Sequence, residues 1–389
     1  MFPSYGGSQE EATVYGLSMK ARCLTAQTGE TDRNRFLIGT LGLREENEVH
    51  LIEIVEDSEE LQWERVGQYP HPKEVWNIAP CPSDPDLFFT CYNTGQRLEY
   101  RASLWRIQGE GDYSELNEVV NLASHNGTVK RVGWKPTVMD AETTSNSVFS
   151  LDDNSLKLWD LGSLGGEGEQ VVGKEVTTIT ISGYQTLTTA QWSPHFEEEI
   201  ATASGTRVQG WDLRSGKESF CIKEANGHSV RDMDYNPNKL YLLVTAGDDA
   251  SLNFWDIRNT NHPLKAVPAH SHWIWNVEYN RSRDQLLLSS STDSSVCLWK
   301  ISSLSSGPLL AAGGDAEPTP SSSTGSNNSR YQAKDYLIRS YDDHEHSVYS
   351  VAWGSSLASP YVFASLSYDG RVVINQVPEE EIEKIQQET

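Results

Sequence analysis

Four short apolar runs end in Trp159, Trp211, Trp255 and Trp299, spaced 52, 44 and 44 residues apart. They read SLKLWD, RVQGWD, SLNFWD and SVCLWK, alternating apolar and polar residues with the two-residue period of a strand. A weaker copy, ASLWRI, places Trp105 54 residues ahead of Trp159, and VHLIEI places Ile52 53 residues earlier still. At the other end RVVINQV puts Asn375 in the same slot. The chain is therefore a repeat of seven units, and a unit of this size buries its apolar face only against its neighbours.

A second column runs in phase with the first. Each unit carries an earlier strand of the form apolar, variable, polar or small, apolar: VWNI from Val75, VKRV from Val129, LTTA from Leu187, VRDM from Val230, IWNV from Ile274 and VYSV from Val348. Between the columns lies a third strand, FLIGT, LFFTC, SVFSL, EIATA, LLVTA, LLLSS or VFASL. In four units it runs into a polar turn with an Asp six residues before the Trp slot, at Asp153, Asp249, Asp293 and Asp369. A His leads the first strand at His228, His272 and His346. These signposts at this period predict an all-β, seven-bladed WD40 β-propeller with one four-stranded blade per repeat. A buried His, a turn Asp and a strand Trp are expected to share hydrogen bonds, satisfying groups that tight turns would otherwise bury unpaired. The expected sets are His228, Asp249 and Trp255; His272, Ser291, Asp293 and Trp299; and His346, Ser367 and Asp369, with Asn375 breaking the pattern.

The last repeat ends near Val377 without an outer strand, so the first strand, Thr13 to Leu17, is expected to complete that blade and close the ring. Residues 1–12 read as a flexible tail and 13–378 as the propeller. The stretch 302–333, rich in Ser, Gly, Pro and Asn, reads as a disordered insertion within the sixth blade, and 379–389 as an acidic tail, either a solvated helix or frayed.

Lys and Arg number 31 against 55 Asp and Glu, a net charge of −24, which opposes nonspecific attraction to nucleic acid or anionic lipid. No apolar stretch approaches the roughly 20 residues that cross a bilayer, and the start, MFPSYGGSQEEATVYG, has none of the basic and apolar regions of a signal peptide. Five scattered Cys without a CxxC pair suit buried thiols in a reducing compartment. The expectation is a cytoplasmic protein, monomeric when alone, with protein partners, no nucleic acid and no direct membrane insertion.

No chemistry-bearing constellation stands out. The pairs His270 with His272 and His344 with His346 have a spacing that could chelate, but one His of each falls on the structural column and no Cys or carboxylate cluster accompanies them. No GxSxG turn or phosphate-binding Gly loop is present. No enzyme, metal or cofactor is expected. The variable position of the strand column is more informative, because ring symmetry brings its copies to corresponding places at the rim of the central channel. It holds Trp76, Lys130, Thr188, Arg231, Trp275 and Tyr349, with Trp273 beside them. Aromatic and Arg side chains anchor protein interfaces, and they also fill inner packing; both readings stand.

With VYGLSMKARCLT, FLIGTLGLREENEVHLIEI, QWSPH, VRDMDYNPNK, HSHWIWNVEYN and VFASLSYDGRVVIN in view, the sequence resembles the WD repeat family that interacts with the EARP and GARP vesicle-tethering complexes. The resemblance spans nearly the whole chain. It implies a non-enzymatic adaptor that binds tethering-complex subunits, aids their recruitment to endosomal and trans-Golgi membranes, and supports endosomal recycling and retrograde transport. A different reading comes from two adjacent WDxR boxes ending in Arg214 and Arg258. Such boxes resemble those of cullin-4 ubiquitin ligase substrate receptors, where the Arg would contact the ligase adaptor.

Overall fold

A computed structural model describes residues 13–387 apart from 44–45, 58–59, 95–99, 110–113, 124, 126, 137–145, 165–170, 172, 182–184 and 308–333. The tail at 1–12 and most of the 302–333 insertion lie outside the described residues. Seven four-stranded antiparallel sheets follow one another in the order of the repeats. The blades span 21–71, 75–121, 131–180, 187–222, 230–268, 274–341 and 348–376. The seventh has three strands of its own, and its fourth is the first strand of the chain: Thr13–Gly16 pairs antiparallel with Arg371–Gln376, Thr13 against Ile374 and Gly16 against Arg371. The ring is closed by joining the two ends of the chain, which leaves the last blade no open edge.

The core is distributed around this ring. Seven buried clusters each draw on two consecutive blades. Phe36, Ile38 and Ile52 of blade one meet Val362, Ala364 and Val372 of blade seven; Val244 and Phe254 of blade five meet Val277 and Leu287 of blade six. Strands covered on both faces read as near-continuous apolar runs, which is why the middle strand of each repeat is its most hydrophobic segment. Along the channel wall, side chains of one inner strand bond the backbone of the next: Asn77 Oδ1 accepts from Val132 N (3.1 Å) and Asn276 Oδ1 from Val351 N (2.8 Å). Arg131 reaches from blade three to Thr189 Oγ1 (2.6 Å) and to Asp232 Oδ1 (2.8 Å) of blade five.

Two irregularities recur at fixed places. Where the third strand meets the fourth, the register shifts just before the Trp slot, at Leu51/Ile52, Leu104/Trp105, Leu158/Trp159, Gly210/Trp211 and Leu298/Trp299. On the inner strand a second shift skips one residue, and this second bulge shapes the candidate site below.

The hydrogen-bonded set inside the blades differs from the expected one in its His and hydroxyl members. In blade six the buried His is His270, not His272: Nε2 lies 2.8 Å from Ser289 Oγ, and Nδ1 3.2 Å from Asp293. Trp299 Nε1 donates to the same Ser289 hydroxyl (3.1 Å), not to Ser291. Residues 271–273 arch over the turn, with Ser271 N donating to Asp293 (2.9 Å), so a His must precede the arch to point inward. His272 lies on the outer side, exposed, bonded to Thr292, and Ser291 Oγ donates to the His272 carbonyl (3.1 Å). In blade seven the buried residue is likewise His344, on Ser365 (2.8 Å), while His346 is exposed and Ser367 bonds Asp369. In blade five His228 is exposed and Asn226 fills the slot, donating to Asp249 (2.9 Å), while Trp255 donates to Thr245 Oγ1 (3.3 Å).

Blade three has a complete set built from His125, Ser150, Asp152 and Trp159. Its turn is one residue shorter, with four residues between the paired Leu151 and Leu156 where blade six has five between Ser290 and Val296; Asp152 and not Asp153 takes the inner place, and Asp153 accepts from Thr128 N (3.0 Å). Blade two keeps His71, Thr90 and Trp105.

The segment that follows the last blade is docked as far as it is described. Helix Glu379–Gln387 lies on blades six and seven, with Ile385 fully buried near Tyr341 and Val377, and Tyr336 Oη donating to Glu381 (2.6 Å). The solvated or frayed reading is thus corrected: among its described residues this segment is docked, because Ile382 and Ile385 fall on one face. Ser302–Leu304 likewise forms a short 3-10 turn, with Ser303 N donating to Asp335 (2.8 Å), so the insertion is anchored at its base.

Candidate functional site: the channel mouth

In six blades the inner strand skips one residue in its pairing with the second strand: Arg22, Trp76, Thr188, Arg231, Trp275 and Tyr349. A bulged residue has no partner opposite it, and the local bend re-aims its side chain out of the pleat. In those six blades the variable column of the sequence is therefore a column of bulges at the mouth of the channel, whereas blade three shows no such shift. Arg22 is the copy that the sequence reading missed; Ala21 stands there in place of Val, Leu or Ile and weakens the pattern.

Five blades contribute to one continuous cluster at this mouth. The Arg22 guanidinium sits over Tyr349 (4.8 Å to the ring centre), Trp275 (5.1 Å) and Trp76 (5.3 Å). Trp275 packs against Tyr349 with ring centres 5.0 Å apart, and Tyr349 meets Tyr368 edge-on at 5.7 Å. Arg231 lies over Trp275 (4.8 Å) and Trp273 (5.4 Å) while its own fork is held by Asp248 at 2.6 and 2.9 Å. Lys20 caps Tyr368 at 4.7 Å. Trp76 and Trp273 keep 36% and 41% of their surface exposed, so part of the cluster faces outward. The remaining side chains of the variable column stay on their own side of the ring. Lys130 pairs with Asp153 (2.9 Å) and donates to the Leu187 carbonyl (2.5 Å), and Thr188 donates to Ala203 O (3.2 Å).

Arg214 and Arg258 lie on the opposite face. The inner strand starts at the turn end of the blade, with Ile274 against Ser291, whereas the Trp-Asp end of the third strand pairs with the far end of the second, as Asp256 does with Leu242. Both Arg residues are exposed. The Arg258 fork is closed on its own repeat's Asp256 (2.9 and 2.6 Å) and lies over Tyr241 (4.5 Å). Arg214 N donates to Asp212 (2.9 Å).

Among the described residues no group of three or more His, Cys, Asp or Glu is placed to hold a metal, and no helix is long and apolar enough to cross a membrane. Of the five thiols, four are buried and Cys221 is partly exposed. Burial pushes the Cys23 thiol up to about 12, which leaves it inert as a nucleophile.

The chain matches the EIPR1 beta-propeller family over residues 9–299. It is 38% identical to the rat EARP and GARP complex-interacting protein 1 over 382 residues, covering 94% of this chain and 96% of the relative. It is 38% identical to the human protein of the same name, with the same coverage, and 41% identical to the EARP-interacting protein homolog of Dictyostelium discoideum, covering 96% of both.

Proposed function

From its membership of the EIPR1 beta-propeller family, to which this chain belongs, we propose that it is a non-enzymatic WD repeat adaptor that binds EARP and GARP tethering complexes. In this reading the protein is cytoplasmic and monomeric when alone. It reaches endosomes and the trans-Golgi network through its partners, helps recruit the tethers there, and so supports endosomal recycling and endosome-to-trans-Golgi retrograde transport. The observation that carries the reading is the mouth cluster, in which five blades converge large rings and two guanidinium groups on one partly exposed patch. Trp, Tyr and Arg at the centre of a patch are the residues that dominate binding energy at protein interfaces. An acidic ring would meet a membrane more readily through a protein than through anionic lipid.

The test is affinity purification of the tagged chain followed by mass spectrometry, which recovers tether subunits if the reading holds. Replacing Arg231, Trp275 and Tyr349 together with Ala should weaken capture at least tenfold while leaving the melting temperature within a few degrees, a loss expected for anchor residues. Undiminished capture by the triple variant would move the binding surface elsewhere. The cullin-4 reading makes a separate demand: recovery of the ligase adaptor, abolished by replacing Arg214 and Arg258 with Ala. It also requires the Arg258 fork to leave Asp256.

A further inference from the structure

The cations at the mouth are not equivalent. Arg231 is forked onto Asp248, and Lys130 is paired with Asp153. Arg22 is half-buried among three aromatic rings, and among the described residues its side chain has no ion pair or hydrogen bond. Burial works against its charge, and the neighbouring Arg231 adds to that. A guanidinium that has already given up much of its water, with ring faces below it and no anion paired with it among the described residues, gains most from an incoming carboxylate. The adjoining Trp275 indole N–H is covered by its neighbours and has no acceptor among the described residues, so an occupant offering an oxygen would satisfy it only if the ring turned outward.

We infer that Arg22 is the anchor of a docking site for an acidic segment of a protein partner, taking one Asp or Glu carboxylate on its fork while a flanking apolar residue lies against Trp76 and Trp273. This rests on the tether-binding reading above and adds the chemistry of what is bound. The observations favour a single carboxylate over a polyphosphate headgroup or nucleic acid. Among the described residues the mouth offers one free fork, since Arg231 is already held by Asp248, and on a chain of net charge −24 that offers little to a multiply charged anion, whereas an aromatic surround offers much to a peptide.

The experiment uses the full chain and purified EARP complex. R22Q, of similar reach but uncharged, should lower affinity roughly tenfold to a hundredfold, the range for losing a charge-assisted hydrogen bond, whereas R22K should retain more of it. In R22K a zero-length carbodiimide reagent should join the new amine to a partner Asp or Glu, located by mass spectrometry. Converting that partner residue to Lys should abolish binding to the parent and restore it to R22E. If the parent binds the complex and R22Q binds equally well, the Arg22 assignment falls while tether binding stands. If the parent does not bind the complex, the proposed function falls, and this inference with it. Arg22-dependent binding to vesicles containing phosphatidylinositol 3-phosphate, without a carbodiimide product on the complex, would also overturn the carboxylate assignment.

Discussion

The pair His270 and Asp293 shows how one hydrogen-bond set can carry a pH signature. Burial pulls the His270 imidazolium down, but Asp293, and to a lesser degree Cys297, hold the proton more strongly and raise the ring to about 9. Burial raises the Asp293 carboxyl in turn, and the bonds from His270 and Ser295 outweigh it and leave it well below the usual range. Because the folded His270 value lies above the unfolded value of about 6.5, its contribution is fully present below pH 6.5 and lost as pH rises through 9. His344 has the opposite sign. Burial without a carboxylate bond lowers it to about 4, so its contribution is present above pH 6.5 and lost as pH falls through 4. Asp293→Asn should therefore cost roughly 3 kcal/mol near neutrality, as expected for breaking a buried charged pair. It should also flatten the fall in stability between pH 6.5 and 9.5 seen in urea unfolding of the parent; an unaltered slope would exclude His270 as its source. At this scale the sequence was only partly legible. Trp299 and Asp293 stand out by period, but His270 and His272 both precede the strand, and only the arch of 271–273 decides which one faces inward.

Blade one differs from the others by its long outer hairpin, Asn47–Asp57 with Glu60–His71, whose strands run to 11 and 12 residues. The added length reaches across to the closing strand. Trp63 Nε1 donates to Val14 O (3.1 Å) and its ring meets Tyr15 edge-on at 4.6 Å, while Thr13 Oγ1 donates to Leu61 O (2.6 Å). Tyr15 Oη continues the contact to His50 Nδ1 at 2.6 Å. The hairpin is a latch over the strand that seals the ring. Trp63→Ala should cost about 1–2 kcal/mol, the sum of one hydrogen bond and one aromatic contact. Its effect should be local: by hydrogen exchange the amides of Val14 and Tyr15 should open faster while those of blade four keep their protection, and equal loosening everywhere would refute a latch. Strand alternation marks both arms of the hairpin in the sequence, but its function depends on Thr13–Gly16, a strand whose own pairing partner, Arg371–Gln376, lies at the other end of the repeat array. The docked helix Glu379–Gln387 escaped for the same reason: an acidic run with two Ile residues looks solvated until the groove between blades six and seven is known.

For the whole molecule, the repeat cadence and the missing fourth strand of the last unit were enough to foresee seven blades and their mode of closure, since both follow from how many strands each copy can supply. The variable column is legible in the sequence for a similar reason: one bulge recurs at one place in six of the blades. Which of its members converge, and that Arg22 is at the centre, depends on ring geometry that no linear pattern displays. Deleting residues 1–17 should destabilise all seven blades together, because it strips Arg371–Gln376 of its partner and uncovers the cluster around Tyr15. A single cooperative transition at a clearly lower temperature is expected in calorimetry, and an unchanged melting temperature would refute it. Sealing the ring end-to-start also imposes an order on biosynthesis. The first strand to leave the ribosome has no seat until residue 376 has followed it, so Thr13–Gly16 must wait through the making of every blade. Synthesis of Arg371–Gln376, not of any intermediate repeat, is then the step that lets a nascent chain seal its ring, and a ribosome stalled short of that strand holds a propeller whose seventh blade has not yet met its outer strand.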